Sequence, residues 1–308
     1  MDKVVLVSVS GGKDSTATLL LALERESNVK GVFADTGNEH QLTYDYLEYL
    51  EKTLNITFHR VKADFSRQME VHRKFILEKW PLQGIPEEKV QRAASMMVPT
   101  GVPFLDLCLW KGRFPGSVTD RFCTTELKTL PLTAFSLSLV EKGYFVESWQ
   151  GIRKEESKKR ATYSERELLH ESIEVYRPIL DWKLNDVISF VKSKGIELNP
   201  LYKHGQRRVG CMPCINTRKE DLRHIALRFP EVIDRIEEWE RLVINSSKGD
   251  SSTFFSSGTD NEVAYQEGNI RKVVEWAVGE RPSLFLESYE EALGEEMGGC
   301  SSSFGLCE

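Results

Sequence analysis

The chain has 308 residues, 40% apolar and 29% charged. That is long enough for one large domain or a domain with an appended part, and it excludes a disordered or fibrous protein. A formal net charge of −6 and a pI of about 5.7 exclude a protein that coats nucleic acid by bulk attraction, while allowing a local basic patch. No apolar run approaches the ~20 residues of a membrane span, and the opening run Val4 to Val7 is too short for a signal core, so the chain reads as cytoplasmic and non-membrane.

In chain order, Val4 to Val9 reads as a buried strand and Ser15 to Glu26 as a helix with Ala17, Leu19, Leu20 and Leu23 inward. Gly31 to Asp35 is a second strand, ending on Asp35-Thr36-Gly37-Asn38. Tyr44, Leu47, Leu50 and Leu54 then recur at helical spacing before a third strand, Ile56 to Val61. This alternation predicts an α/β fold, a parallel twisted sheet flanked by helices, with ligands at the carboxyl ends of strands one and two. Phe65 to Gln91 is helical with breaks at Trp80-Pro81 and Gly84-Ile85-Pro86, and Tyr144 to Gln150 is a further strand. It runs into a basic stretch, Arg153, Lys154, Lys158, Lys159 and Arg160; a second basic group is Arg207, Arg208, Arg218 and Lys219. Asn185 to Lys194 is a helix stopped by Gly195, and Glu220 to Val243 is helical with a break at Pro230. Ser246 to Asn261 reads as a mobile loop, Asn269 to Val278 as a last helix before a cysteine-bearing tail. The expected division is 1–215, a nucleotide-binding α/β domain, and 216–308, a mainly helical extension.

Ser10-Gly11-Gly12-Lys13-Asp14-Ser15 lies between the first strand and the first helix. Two glycines let the backbone turn sharply and bring its N–H groups near an anion, and the helix adds its positive end. The Ser10 and Ser15 hydroxyls suit phosphate oxygens, Lys13 neutralises charge, and Asp14 serves to hold the loop or a magnesium ion. The spacing is neither a Walker A motif nor a dinucleotide fingerprint. It resembles the PP-loop of ATP pyrophosphatases, which implies ATP and Mg2+ as ligands and cleavage to AMP and pyrophosphate.

Further blocks resemble the phosphoadenosine-phosphosulfate reductase family: Asp35-Thr36-Gly37; Arg121-Phe122-Cys123 with Leu127-Lys128 and Pro131; Gly151-Ile152-Arg153 with Glu156-Ser157 and Arg160; Arg177-Pro178-Ile179 with Trp182; Asn199-Pro200-Leu201-Tyr202; and Gly210-Cys211-x-x-Cys214. The resemblance implies an adenine nucleotide alpha hydrolase-like (PP-loop) fold over residues 4 to 215. It also implies nucleotide contacts at Asp35 and Thr36 and anion contacts at Arg153 and Arg160, whose guanidinium forks match phosphate oxygens. The Glu-Cys-Gly-Ile-His tail and Cys-Cys pair of assimilatory reductases are absent from this sequence.

Six cysteines in a reducing compartment point to metal binding or thiol chemistry. Cys211-Met212-Pro213-Cys214 alone fits a redox pair or structural zinc; with Cys123 and Cys300 it makes an all-cysteine set that fits Zn2+ or an iron–sulfur cluster. Resemblance to cluster-bearing relatives favours a [4Fe–4S] cluster, with Cys300 before Cys307 as fourth ligand and Cys307 as a sulfur carrier. Cys108, in an apolar run, reads as a core residue.

Three functions compete. The first makes Lys13, Asp14, Arg153 and Cys307 the catalytic set of an ATP pyrophosphatase that adenylates a DNA backbone phosphate for sulfur insertion. This resembles the reductase-like protein of DNA phosphorothioation systems, partnered by a cysteine desulfurase or another sulfur donor; a tRNA-thiolating enzyme is its variant. The second is an adenylyl-sulfate or phosphoadenylyl-sulfate reductase using thioredoxin, and the third a redox-sensing nucleotide-binding regulator. A homo-oligomer is compatible with all three.

Overall fold

The computed structural model describes residues 2–116, 120–249, 251–255 and 269–279. Strand β1 (Asp2–Ser8) lies inside a six-stranded sheet of order β3-β2-β1-β4-β6-β5. It pairs in parallel with β2 (Val29–Ala34) and β4 (Tyr144–Trp149). β3 (Phe58–Val61) and β6 (Ile173–Tyr176) extend the parallel set, and β5 (Arg166–His170) forms an edge antiparallel to β6. β1 is apolar at consecutive positions because both of its faces are covered. Val5 and Val7 pack with α1 (Lys13–Arg25), α2 (Gln41–Leu54) and α8 (Leu184–Ser193), while Val4 and Leu6 pack with α7 (Leu130–Glu141).

The other long helices, α3 (Ser66–Lys79), α4 (Glu87–Met96), α5 (Pro103–Lys111), α9 (Lys219–Arg228), α10 (Pro230–Ser246) and α11 (Ile270–Val278), share a separate core. That core also takes in Leu201, Tyr202, Val209 and Met212, so it reaches the loops beyond the strand ends. No described helix is long and apolar enough to cross a membrane.

The expected elements of the first 61 residues form within two or three residues of their anticipated bounds. Two features differ. The β5–β6 hairpin was not anticipated, because β5 is an exposed edge whose mixed polar sequence lacks an alternating apolar face. The expected mobile loop from Ser246 to Asn261 needs correction in its described part: Phe254 is fully buried, packed against Phe104 and Phe114. The cause is Glu240 on α10, itself 2% exposed, which accepts from Thr253 Oγ1 (3.0 Å), Phe254 N–H (2.8 Å) and Ile270 N–H (2.7 Å). A single carboxylate thereby holds both the Phe254 segment and the start of α11.

Burial pushes the Glu240 carboxyl up to about 7 despite those donors. The folded state therefore holds its proton more tightly than the unfolded chain, so this group's contribution to stability is full below about pH 4.5 and declines as pH rises through about 7. Glu240→Gln should flatten that decline in urea titrations across this range. Glu240→Ala, which strands buried donors, should cost about 3 kcal/mol below about pH 4.5, and that cost should shrink as pH rises through about 7.

Candidate functional site

β1 delivers the chain to its carboxyl end, where Val9 N–H still bonds the Val32 carbonyl and the backbone turns through Ser10-Gly11-Gly12 into α1. Gly11 has a φ of 76°, and a Cβ there would stand 2.8 Å from Thr43 Cγ2, so the turn demands glycine. The Gly12 carbonyl accepts from Thr16 N–H (3.0 Å) and the hydroxyls of Ser15 (2.9 Å) and Thr16 (3.0 Å). Ser10 N–H donates to Ser15 Oγ at 3.1 Å, closing the loop on itself. The first turn of α1 lies within this loop, where N–H groups without intrahelical acceptors and the helix dipole favour an anion.

Distant segments grip the loop from outside. Asn199 Nδ2 donates to the Gly11 carbonyl (3.2 Å), and the Tyr202 hydroxyl accepts Lys13 N–H (2.9 Å). The Lys13 ammonium, buried at 7% exposure, sits 5.1 Å from the Tyr202 ring centre, 3.4 Å from the Arg207 carbonyl and 3.6 Å from Asp14 Oδ2. Beyond β4, Gly151 lies so close that a Cβ would stand 2.7 Å from the Asp14 carbonyl and 2.8 Å from Ser15 N. Two residues on, buried Arg153 donates Nε to Asp14 Oδ1 at 2.5 Å and also pairs with Glu155. The expected nucleotide residues Ser10 to Ser15 and Arg153 thus come together. Arg160 stands one step back, paired with Glu156, which also accepts Arg153 N–H at 2.9 Å.

Asp35 and Thr36 occupy the end of the neighbouring strand β2. Asp35 Oδ1 accepts from Tyr44 (2.8 Å) and Gly37 N–H (3.0 Å), and its Oδ2 pairs with Lys62 (2.9 Å). Thr36 donates its N–H and hydroxyl to Glu39 (3.1 and 2.8 Å). Cys211 bridges to Glu39 in antiparallel fashion, its Sγ 3.4 Å from Thr36 Oγ1 and 3.6 Å from Glu39 Oε1. The Cys-x-x-Cys turn, through a cis Met212–Pro213 peptide, is therefore fastened to the end of β2.

Cys123 lies in the short helix α6 (Phe122–Thr124), which continues through a π-helical turn, Thr125–Thr129, into α7. Burial pushes the Cys211 thiol up to about 12, with the Lys128 ammonium opposing, and raises Cys123, with nearby Cys214 adding. Cys123, Cys211 and Cys214 therefore share one neighbourhood. Among the described residues, however, no three His, Cys, Asp or Glu side chains stand close enough to hold a metal ion. Cys300 and Cys307 fall outside the described residues, and Cys108 is fully buried in the core.

Sequence alone gives Glu39 and Tyr44 no site role, and Lys128, Gly151, Asn199 and Tyr202 enter only within the blocks that resemble the family. Glu39 carried a usable signal, a carboxylate three residues after Thr36. The contacts that Asn199 and Tyr202 make had no local signal, since these residues lie 188 and 189 positions from their loop partners.

A mostly parallel sheet whose inner strand opens into a Ser-Gly-Gly-Lys-Asp-Ser loop at a helix N-terminus defines a PP-loop-type α/β protein. More particularly, the chain belongs to the phosphoadenosine phosphosulfate reductase domain family, whose model matches residues 4–217. An uncharacterised 37.8 kDa protein of Escherichia phage 186 is 43% identical, over 98% of this chain and 96% of the phage protein. A phosphoadenosine 5′-phosphosulfate reductase of Vibrio vulnificus is 22% identical, over 66% of this chain and 64% of the reductase. Among solved structures, the phosphate complex of a phosphoadenylyl-sulfate reductase from Candida auris aligns with a TM-score of 0.44 and 16% identity, over 68% of this chain and 82% of that one.

The Gly151 contact yields a test. Gly151→Ala forces a methyl group against the Asp14–Ser15 backbone and should weaken nucleotide binding by at least about tenfold in calorimetry, at a stability cost of about 1–3 kcal/mol. Gly210→Ala, where a Cβ meets nothing within 4 Å, should leave both unchanged.

Proposed function

We propose that this protein binds ATP and Mg2+ at the Ser10–Ser15 loop and uses it to adenylate an oxygen of a nucleic-acid acceptor, a DNA backbone phosphate before a tRNA base, for replacement by sulfur. The observation that carries the reading is the convergence on one loop of buried Lys13 and Arg153 and half-buried Asp14 with the α1 N-terminus. Such a site stabilises the charge that develops on departing pyrophosphate. The acceptor oxygen attacks the α-phosphorus and pyrophosphate leaves; the outer sulfur of a persulfide on the carrier thiol then attacks the activated acceptor and AMP leaves, and a second thiol attacks the carrier sulfur, forming a disulfide and releasing the sulfur on the acceptor. Lys13 neutralises the β- and γ-phosphates, Asp14 and Arg153 keep the loop shaped, Ser10, Ser15 and the glycine N–H groups bind oxygens, and Asp35 and Thr36 line the nucleotide side with Arg160 behind Arg153. Sulfur comes from a cysteine desulfurase or similar donor, with Cys307 as carrier. Residues 1–215 hold this chemistry, and 216–308 carry the cysteine-bearing tail.

Cys123, Cys211 and Cys214, with Cys300, are the residues that would hold a [4Fe–4S] cluster or, alternatively, Zn2+. The thiol chemistry suits either, and the three described thiols would have to close further around it. Such a group would supply electron transfer or structural anchoring at the end of β2.

A second reading, reduction of adenylyl- or phosphoadenylyl-sulfate with thioredoxin, is favoured by the named reductase among the relatives. Anaerobically purified protein given ATP and magnesium should form AMP and pyrophosphate, and a parallel reaction with adenylyl-sulfate and reduced thioredoxin should form no sulfite. Sulfite without pyrophosphate would establish the second reading instead. Lys13→Ala should lower pyrophosphate release by at least about a hundredfold. Cys211→Ser and Cys214→Ser should lose bound iron or zinc in elemental analysis; full metal content would remove both from the ligand set.

A further inference from the structure

The two basic stretches of this acidic chain have different surroundings. In the first, Arg153 is paired with Asp14 and Glu155, Lys154 with Asp181 at 2.6 Å, and Arg160 with Glu156, so carboxylates cancel much of its charge. The second, residues 203–228, holds seven Lys and Arg against Glu220 and Asp221, both of them beside Arg207, and against Glu197 on Lys203, which leaves a net +4 within a chain of net −6. There Lys219 lies 4.2 Å over the Trp276 ring, Arg223 donates to the Ala277 carbonyl at 2.8 Å, and the Arg208 side chain is exposed. His224 on α9 is pushed down to about 4, by burial first and then by Arg228, Arg207 and Arg223, which marks a positive local field. Beside Arg207, buried Gln206 has a side-chain nitrogen with no hydrogen-bond partner among the described residues.

This face is joined to both parts of the candidate site. The Arg207 carbonyl receives the Lys13 ammonium of the phosphate loop. Arg208 lies three residues before Cys211, and Lys128 interacts electrostatically with both. The Lys13 ammonium thus meets the backbone next to Arg208, the Arg207 guanidinium turns to Glu220 and Asp221, and exposed Arg208 lies within electrostatic reach of Lys128 near Cys211. Positive charge spread over an open face, rather than gathered in one closed pocket, matches a repeating polyanion.

We propose that the surface formed by residues 203–210 and α9 docks the phosphodiester backbone of a DNA strand, with Arg208 and Lys219 as phosphate contacts, presenting one phosphate between the Lys13 loop and Cys211. The inference rests on the nucleic-acid acceptor reading and assigns it a surface, in place of the Arg153–Arg160 stretch.

The test is fluorescence anisotropy of the full chain with a labelled duplex of ~20 base pairs, from about 50 to about 300 mM NaCl. Arg208→Glu with Lys219→Glu should weaken binding at least about tenfold at 100 mM salt and make the log–log salt dependence shallower by about two, near 0.9 per lost phosphate contact. Arg73→Glu with Lys79→Glu, exposed on α3 and equal in charge change, should bind as the unaltered protein does. Circular dichroism confirms that each variant is folded. Equal weakening by both pairs would reduce the effect to net charge and overturn the assignment, as would a duplex RNA bound tenfold tighter than DNA. An unaltered protein that binds no DNA overturns the inference whatever its ATP turnover. One that binds DNA through this face yet releases no pyrophosphate sinks the adenylation reading and leaves the docking surface standing.

Discussion

The ion pair between buried Arg153 and half-buried Asp14 is the constraint on which the candidate site depends. A buried charge that loses its partner is costly, typically about 3–5 kcal/mol, so Arg153 without Asp14 would be the costlier half to leave alone. Asp14 and Arg153 are 139 residues apart, so their contact fixes the first turn of α1 against the segment that leaves β4. Gly151 makes that approach possible by having no side chain. The same pair limits what Arg153 can do for a ligand. With Asp14 and Glu155 already on its guanidinium, it reaches an arriving phosphate by sharing those carboxylates or exchanging one of them.

The nucleotide loop and the thiols are coupled by strand adjacency. β1 and β2 are paired neighbours, and hydrogen-bonded strands lie about 4.8 Å apart, so whatever occupies the Ser10–Ser15 loop is close to the Asp35–Thr36 end of β2. Thr36 and Glu39 carry the connection on to Cys211. A thiol held near 12 is uncharged at neutral pH and a poor nucleophile, and ionises there when a cation takes the place of its proton. Lys128 alone does not offset the burial.

What could be read from sequence divides by range. The strand–loop–helix unit at residues 2–25 was legible because each of its determinants is local: the apolar run, the glycines, the hydroxyls and the helix start. Asp35-Thr36 was legible as the end of a second strand. The grip on the loop by Asn199, Tyr202 and Gly151 was not, since no pattern within one segment says which distant backbone it will touch. α5 gave no periodic signal because Pro103 through Leu109 are buried on every side, which erases the 3.6-residue alternation. Phe254 was misplaced for a similar reason: its anchor, Glu240, is a charged residue on a helix, a position that ordinarily marks a solvated face.

These long-range contacts form a chain that joins the last described helix to the first loop. Glu240 fixes the start of α11 through Ile270. The end of α11 offers the Ala277 carbonyl to Arg223 and the Trp276 ring to Lys219, both on α9. α9 returns Glu220 and Asp221 to Arg207, whose carbonyl receives Lys13. Each link is a single hydrogen bond, ion pair or ring contact, worth about 1 kcal/mol or less where exposed and more where buried. Placed in series, they tie the geometry of the loop lysine, Lys13, to residues more than 250 positions away in sequence. The helical C-terminal region is thus part of what shapes the loop, and the basic face it supports is held at a set position relative to Lys13.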